Sequence, residues 1–299
     1  MLDLSIIIVS YNTKEFLKKC LASILYSIEG KISYEIIVVD NASSDGSGEE
    51  MLKRKNKILN LKTILNKENG GFSKANNQGI QASQNSRYVL FLNPDTIVQK
   101  NTIEEMIKFM DENKNAGAGT CKLVMLNGKI DDAIHRGFPT PWNSFCHFSG
   151  LEKAFPKSKL FAGYSLGWMD LSTTHEIDAL AGAFMLVRRT AGEDVKWWDE
   201  DYFFYGEDID FCYQLKQKGW KIYYVPKVFI THYKGVSGGI KSVSKEITTA
   251  SEETKKKVTK WRFAAMRIFY NKHYKHKYPG IVNLLVDKGI WLREKFTGV

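Results

Sequence analysis

Tyr88-Val-Leu-Phe-Leu-Asn-Pro-Asp-Thr96 decides the fold. Its apolar run does not alternate, and a short unalternating run reads as a strand buried on both faces, as parallel sheets require. Pro94 lacks the amide proton that a ladder needs, so the strand ends there and Asp95 stands just past its carboxyl end. Open α/β sheets bind ligands in the crevice outside those ends. A carboxylate at that place can hold a hard cation, and such a cation commonly carries a substrate's phosphates.

Working outward, the chain before Tyr88 repeats strand, loop and helix, which calls for right-handed crossovers and a parallel sheet. Leu4–Val9 and Glu35–Val39 are buried-type strands, and Leu61–Leu65 is a short third one. Thr13 or Asn12 is positioned to cap a helix running to Ser27, with Phe16, Leu17, Cys20, Leu21 and Ile24 at helical spacing. Asn69-Gly-Gly-Phe-Ser-Lys-Ala-Asn-Asn-Gln78 opens another helix. After Tyr88, a helix near Thr102–Asn113 and a strand near Gly117–Met125 are expected. Residues 127–175, rich in Gly, Pro and aromatics without a clear period, read as a long substrate-facing insertion. Ile177–Arg188 reads as a strand, Glu207–Lys218 as a helix stopped by Gly219, and Trp220–Val225 as a strand. Beyond Gly239 the chain reads as helical and basic, with a break at Pro279-Gly280.

The 299 residues suit one large α/β domain with an appendage, and the formal charge of +10 is uneven. Residues 255–295 hold most of the excess, which fits a polyanion or an anionic membrane surface as well as a solvated helical face. Cys20, Cys121, Cys146 and Cys212 are far apart and show neither a disulfide framework nor a zinc site, pointing to a reducing compartment. Met1–Val9 reads as a first strand rather than a signal peptide, and no apolar run reaches the ~18 residues of a spanning helix. A nucleic-acid role would rest on net charge alone, with no motif behind it.

The first strand–helix loop, Ser10-Tyr-Asn-Thr-Lys-Glu15, lacks the glycines of a dinucleotide fingerprint, which argues against NAD, FAD and P-loop nucleotides. Asp40, ending the second strand, can accept hydrogen bonds from a base N–H or a ribose hydroxyl, and Tyr11 can lie against a base. Asp45 is explained by capping. Gly70-Gly71 permit close backbone approach, and the helix start with Lys74 can meet an anion. Asn76 and Asn77 are poor helix-interior residues, so one of the pair should be engaged. Far downstream, His232 follows the apolar Val228-Phe-Ile230 and precedes Gly235-Val-Ser-Gly-Gly239. Asp95, His232 and two diphosphate oxygens would suit Mg²⁺ or Mn²⁺. Trp197, Trp198 and Tyr202–Tyr205 suggest an aromatic wall beside Glu207, Asp208 and Asp210. Aromatic faces bind sugar rings, and a neighbouring carboxylate can serve as general base toward a hydroxyl.

Val9-Ser-Tyr-Asn-Thr13, Val38-Val-Asp-Asn-Ala-Ser-Ser-Asp-Gly-Ser47, Asn69-Gly-Gly-Phe-Ser-Lys-Ala-Asn-Asn-Gln-Gly79, Leu92-Asn-Pro-Asp-Thr96, Gly182-Ala-Phe-Met185 and Phe204-Tyr-Gly-Glu-Asp-Ile-Asp-Phe211 resemble, in order, the serial motifs of family 2 glycosyltransferases. Within that family the chain is most similar to the bacterial rhamnosyltransferase-like branch. The resemblance covers residues 4 to about 235. It implies a GT-A fold, Rossmann-like with a mostly parallel sheet flanked by helices, over residues 1–238, and a basic helical extension over 239–299.

The resemblance also implies an inverting, metal-dependent glycosyltransferase. Ser10, Tyr11, Asn12, Asp40, Asn41, Gly71, Phe72, Lys74, Asn76, Asn93 and Asp95 would bind the nucleotide-sugar. Asp95 would match the last acid of the metal motif, whose first acid is here Asn93, with His232 assisting. Asp208 would be the base, with Glu207 as runner-up, and Trp198 and Tyr205 would meet the acceptor. The implied donor is dTDP-L-rhamnose, with a UDP-hexose as the alternative. The acceptor would be a glycan or polyprenyl-linked hydroxyl in surface polysaccharide synthesis. A rival of another class is a non-catalytic nucleotide-sugar or glycan-binding subunit. The expected location is cytoplasmic, peripheral on the inner face of the plasma membrane, with the basic tail against anionic lipid.

Overall fold

The computed structural model describes residues 1–297 apart from 29, 31, 56, 57, 59 and 241–246. Strands β1 (Leu2–Ser10), β2 (Tyr34–Asp40), β3 (Leu61–Leu65) and β4 (Ser86–Leu92) alternate with helices α1 (Lys14–Ser27), α2 (Ser47–Lys55) and α3 (Phe72–Ala82). The apolar runs of β1, β2 and β4 are buried because helices cover the faces of the sheet. Next come β5 (Thr96–Val98), α4 (Thr102–Glu112), β6 (Ala116–Met125), α5 (Pro141–Ser149), α6 (Leu151–Ala154), β7 (His175–Ile177) and β8 (Phe184–Arg188). The chain continues through α7 (Arg189–Asp194), α8 (Glu207–Gln217), β9 (Lys221–His232), α9 (Glu252–His273) and α10 (Gly280–Phe296).

All the strands join one sheet in the order β3-β2-β1-β4-β8-β6-β9-β5, with β7 also on β9. The sheet is parallel from β3 to β4 and between β6 and β9, and antiparallel where β8 inserts and where β5 and β7 join β9. Register then places the functional ends together. Ser10 lies beside Asp40, and β8 starts at Phe184 beside Leu92, so the ends of β1, β2 and β4 open on one edge. Thr96 pairs with His232, and the Tyr233 amide donates to the Asp95 carbonyl at 2.9 Å, bringing residues 137 positions apart in the chain to one point (232 − 95).

Several local expectations are corrected. Neither Asn12 nor Thr13 caps α1 with its side chain; Asp45 from the next loop takes the Lys14 amide at 2.9 Å instead. The Ile177–Arg188 strand is two strands, because residues 178–183 leave the edge of β9 and cross to the middle of the sheet between β4 and β6. β9 passes Pro226 and runs to His232, with a register shift opposite Cys121 and Lys122 that absorbs the proline. Residues 127–175 are not an open loop. They hold α5, started by Thr140, whose hydroxyl accepts the Asn143 amide, and by Pro141, and ended by Gly150 in the left-handed region. The helical expectation after Gly239 falls partly on residues 241–246, outside the described residues; the helix itself starts at Glu252.

Candidate active site

The loops after β1, β2 and β3 are tied together by side chains. The Asn12 side-chain Oδ1 accepts the Ser44 amide at 2.8 Å, and its backbone N–H donates to the Ser43 hydroxyl. Asn41 donates to the Asn69 side chain and the Gly71 carbonyl and accepts from Asn66 and the Gly70 amide. Its amide group is therefore a clamp on the glycine loop. Gly71 has φ of 90°, and an added Cβ would lie 2.7 Å from the Phe203 carbonyl, so only glycine fits there. Asp40 is buried; one carboxylate oxygen accepts the Ser43 amide at 3.0 Å, while the other is buried with no partner among the described residues. A buried acceptor without a donor is costly, and a ligand N–H or O–H would relieve it.

Asp95 and His232 meet behind these loops. His232 Nε2 lies 3.4 Å from Asp95 Oδ1 and has no closer partner among the described residues, while its Nδ1 is 2.9 Å from Asp131 Oδ2. Burial alone would hold the imidazole neutral, but the Asp95 and Asp131 carboxylates overcome this and lift its pKa to about 9. Asp131 is 1% exposed. Burial opposes its ionisation, yet His232 and Lys234, at 2.5 Å, hold it well below the usual carboxylate range.

Tyr205 and Gly206 both take left-handed backbone, with φ of 71° and 83°, and turn the chain sharply into α8. Strain of this kind persists where the surroundings enforce it, often at functional sites. The turn sets Glu207 and Asp208 in the first turn of the helix, whose partial positive end favours them. Asp208 Oδ2 accepts from Arg136 at 2.7 Å, and the same guanidinium nitrogen reaches the Leu180 carbonyl. Glu207 is 7% exposed and has one oxygen with no partner among the described residues. Burial, with the Asp208 charge beside it, raises its pKa well above the ordinary value.

A cavity of about 1350 Å³ joins these groups. Tyr11, Asn41, Gly71, Phe72, Asn93, Asp95, Tyr205, Glu207, Asp208 and His232 line it; Ser10, Asn12, Asp40, Lys74 and Asn76 stand outside its wall. Ser10 is bonded to Thr13, and Asn76 turns back on its own helix to the Phe72 carbonyl. The engaged partner of the asparagine pair is Asn77, which bonds the Trp198 backbone and Glu200. Trp198 is corrected from wall to core. It is 3% exposed, stacks on Phe211 and takes the edges of Phe72 and Phe91, so it offers no face to an acceptor. Asp131, Arg136 and Lys234 line the cavity and were not singled out from the sequence; the first two lie in an aperiodic stretch with no motif.

Strand-end loops that converge on one cleft, a strand-end carboxylate beside a histidine and acids opening the next helix define a transferase of the GT-A fold. The chain belongs to glycosyl transferase family 2, whose model matches residues 5–167. It is 29% identical over 245 residues to the rhamnosyltransferase WbbL of Escherichia coli, covering 76% of this chain and 82% of that one. It is 26% identical over 246 residues to the N-acetylglucosaminyl-diphospho-decaprenol L-rhamnosyltransferase of Mycobacterium tuberculosis, covering 79% and 78%. Solved structures share the fold. GalNAc-T7 with UDP, GalNAc and Mn²⁺ superposes with a TM-score of 0.60 at 19% identity, over 78% of this chain and 44% of that one. Residues 1–349 of S. aureus TarS with UDP give 0.52 at 20% identity, over 88% and 65%. The chain thus spans less than two thirds of the length of these two solved structures.

Proposed function

We propose that this glycosyltransferase is an inverting rhamnosyltransferase that moves L-rhamnose from dTDP-L-rhamnose to a hydroxyl of a polyprenyl-linked glycan in bacterial surface polysaccharide synthesis. The observation that carries the proposal is that Glu207 and Asp208 open on the same cavity as Asp95 and His232. The names of the E. coli and M. tuberculosis relatives support the sugar, and the second supports the acceptor.

Asp208 accepts the acceptor's proton as that oxygen attacks the anomeric carbon and the bond to the diphosphate breaks. Arg136 holds the carboxylate in place. Glu207 keeps its own proton in its buried setting and so is the weaker candidate for a base. Asp95 and His232 would hold Mg²⁺ or Mn²⁺. His232 Nε2, beside Asp95 Oδ1, would give up its proton to a cation there while Asp131 keeps Nδ1, and few protein ligands leave room for phosphate oxygens and water. When bound, the cation neutralises charge on the departing diphosphate. Asp40 would accept a hydrogen bond from the base or ribose, with Tyr11 against the base. Release of nucleoside diphosphate from dTDP-, UDP- and GDP-sugars, with Mg²⁺ or Mn²⁺ and a lipid-linked glycan, tests this. Turnover of dTDP-L-rhamnose should fall ~10³-fold in Asp208→Asn while donor still binds. Turnover of a UDP-sugar alone would replace the donor, and an undiminished mutant would remove Asp208 as base.

The location proposed is the cytoplasmic membrane face. Among the described residues no helix is long and apolar enough to cross a membrane. One side of α10 instead exposes Ile281, Leu284 and Trp291 beside Lys288 and Lys295, with the Lys295 ammonium 5.2 Å from the Trp291 ring centroid. Apolar groups among lysines suit an anionic interface. Binding to phosphatidylglycerol vesicles should weaken with salt and fall at least about tenfold in Lys288→Glu/Lys295→Glu. Binding that ignores both changes would discard the location.

A further inference from the structure

The cavity is larger than one ligand needs. Its volume of about 1350 Å³ exceeds the ~300–1,000 Å³ of an ordinary small-molecule site. The acids in its wall, Asp95, Asp131, Glu207 and Asp208, are all at the catalytic end. Phe145 and Phe148 of α5 share the wall with Val282, Leu285 and Val286 of α10. Arg293 joins the two helices, its guanidinium 4.2 Å from the Phe148 ring centroid. Residues 282, 285, 286, 289 and 293 recur at helical spacing and form one face of α10, apart from the face that carries Leu284, Lys288 and Trp291. Leu285 is 62% exposed and Phe145 56% exposed, so this apolar wall is open to an occupant. Arg262 and Arg293 stand in the same wall and form no ion pair among the described residues.

The wall thus combines carboxylates, two arginines without an ion pair among the described residues, and an apolar surface shared by α5 and α10. We propose that the groove between α5 and α10 takes the hydrocarbon chain of a polyprenyl diphosphate acceptor, with Arg262 and Arg293 on its diphosphate. The charge of the cations complements a diphosphate, and the aliphatic Val282, Leu285 and Val286 beside them suit a hydrocarbon chain. The acceptor's sugar then extends from the diphosphate back toward Asp208. This deepens the function proposed above and rests on it.

Farnesyl diphosphate is the probe, with inorganic diphosphate as its chainless control and the fluorescence of Trp142 and Trp261 as the signal. The wild-type chain should bind farnesyl diphosphate about a hundredfold more tightly than inorganic diphosphate. Leu285→Asp and Phe145→Asp should erase that difference and leave inorganic diphosphate binding unchanged. Both positions are exposed, so the variants should fold, which thermal melting checks. Leu284→Asp, on the other face of α10, should weaken vesicle binding and not farnesyl diphosphate binding. Equal affinity for the two diphosphates, or a chain effect that survives Leu285→Asp and Phe145→Asp, overturns the groove. So does loss of the chain effect in Leu284→Asp alone. Thermal stabilisation by dTDP or UDP reads the donor site separately. If it persists while the chain effect is absent, the groove fails and glycosyl transfer stands; if both are absent, both fail.

Discussion

Glu207 and Asp208 are neighbours with opposite surroundings. Asp208 is held by Arg136, while Glu207 is buried with an oxygen that no described residue satisfies. The folded state raises the pKa of Glu207 above its unfolded value, through burial and then the Asp208 charge. A raised carboxyl contributes stability that is present below the unfolded value of 4.5 and is lost as pH rises through the folded value of about 8. Glu207→Gln cannot ionise, so its melting temperature relative to wild type should be higher at pH 8 than at pH 5; a constant difference would refute the buried acid. Arg136→Gln frees the Asp208 carboxylate and should lower kcat about a hundredfold with little change in donor KM. A rise in donor KM alone would make Arg136 a binding residue. Asp95 and Asp208 were legible in the sequence because a proline-stopped strand and a helix start announce them. Arg136 was not, because its role arises only when an aperiodic stretch folds back over α8. Asn41, which the resemblance implied as a nucleotide-sugar contact, lines the cavity while its side chain also holds the glycine loop.

At the scale of elements, continuous apolar runs were readable, and the strands β1 to β4 follow them. The rest depended on context. Residues 177–188 have strand composition throughout, and only the crossing between two places in the sheet divides them into β7 and β8. The strand expected over Trp220–Val225 passes Pro226 through a register shift and continues to His232, which brings the histidine to Asp95. α5 was hidden by its length and aromatic content, although Thr140-Pro141 and Gly150 marked both ends. The link between α8 and α9 is also invisible locally. Asp210, 1% exposed, accepts from Tyr202 at 3.0 Å and pairs with His273 at 2.5 Å, joining α8 to the tail. His273→Ala leaves that carboxylate short of a partner and should cost about 2 kcal/mol, lowering Tm by roughly 5 °C. An unchanged Tm would mean that the pair contributes nothing to docking.

For the whole molecule, composition and charge suggested a catalytic domain with a basic appendage, and the packing bears on whether the two can part. Tyr202 and Tyr213, around α8, are buried against Phe269, Tyr270 and Tyr274 of the tail. Trp261 of α9 lies over Phe203, ring centroids 4.2 Å apart, and the Phe203 carbonyl accepts the Phe72 amide at the start of α3. The tail is thus connected through Phe203 to the glycine loop before α3 and through Asp210 to α8. Burying a large aromatic side chain contributes about 1.5–3 kcal/mol, so uncovering this cluster removes a large part of an ordinary domain's margin. A chain ended after residue 238 should melt well below the full chain, by more than ~5 °C, and lose its stabilisation by nucleoside diphosphate. The nucleotide arm separates two outcomes. A shortened chain that melts early but still gains from dTDP keeps a formed donor site and assigns the tail to stability and the acceptor. One that melts with the full chain and responds equally to dTDP folds as an independent domain, and the aromatic contact over Phe203 then has no part in shaping the donor side.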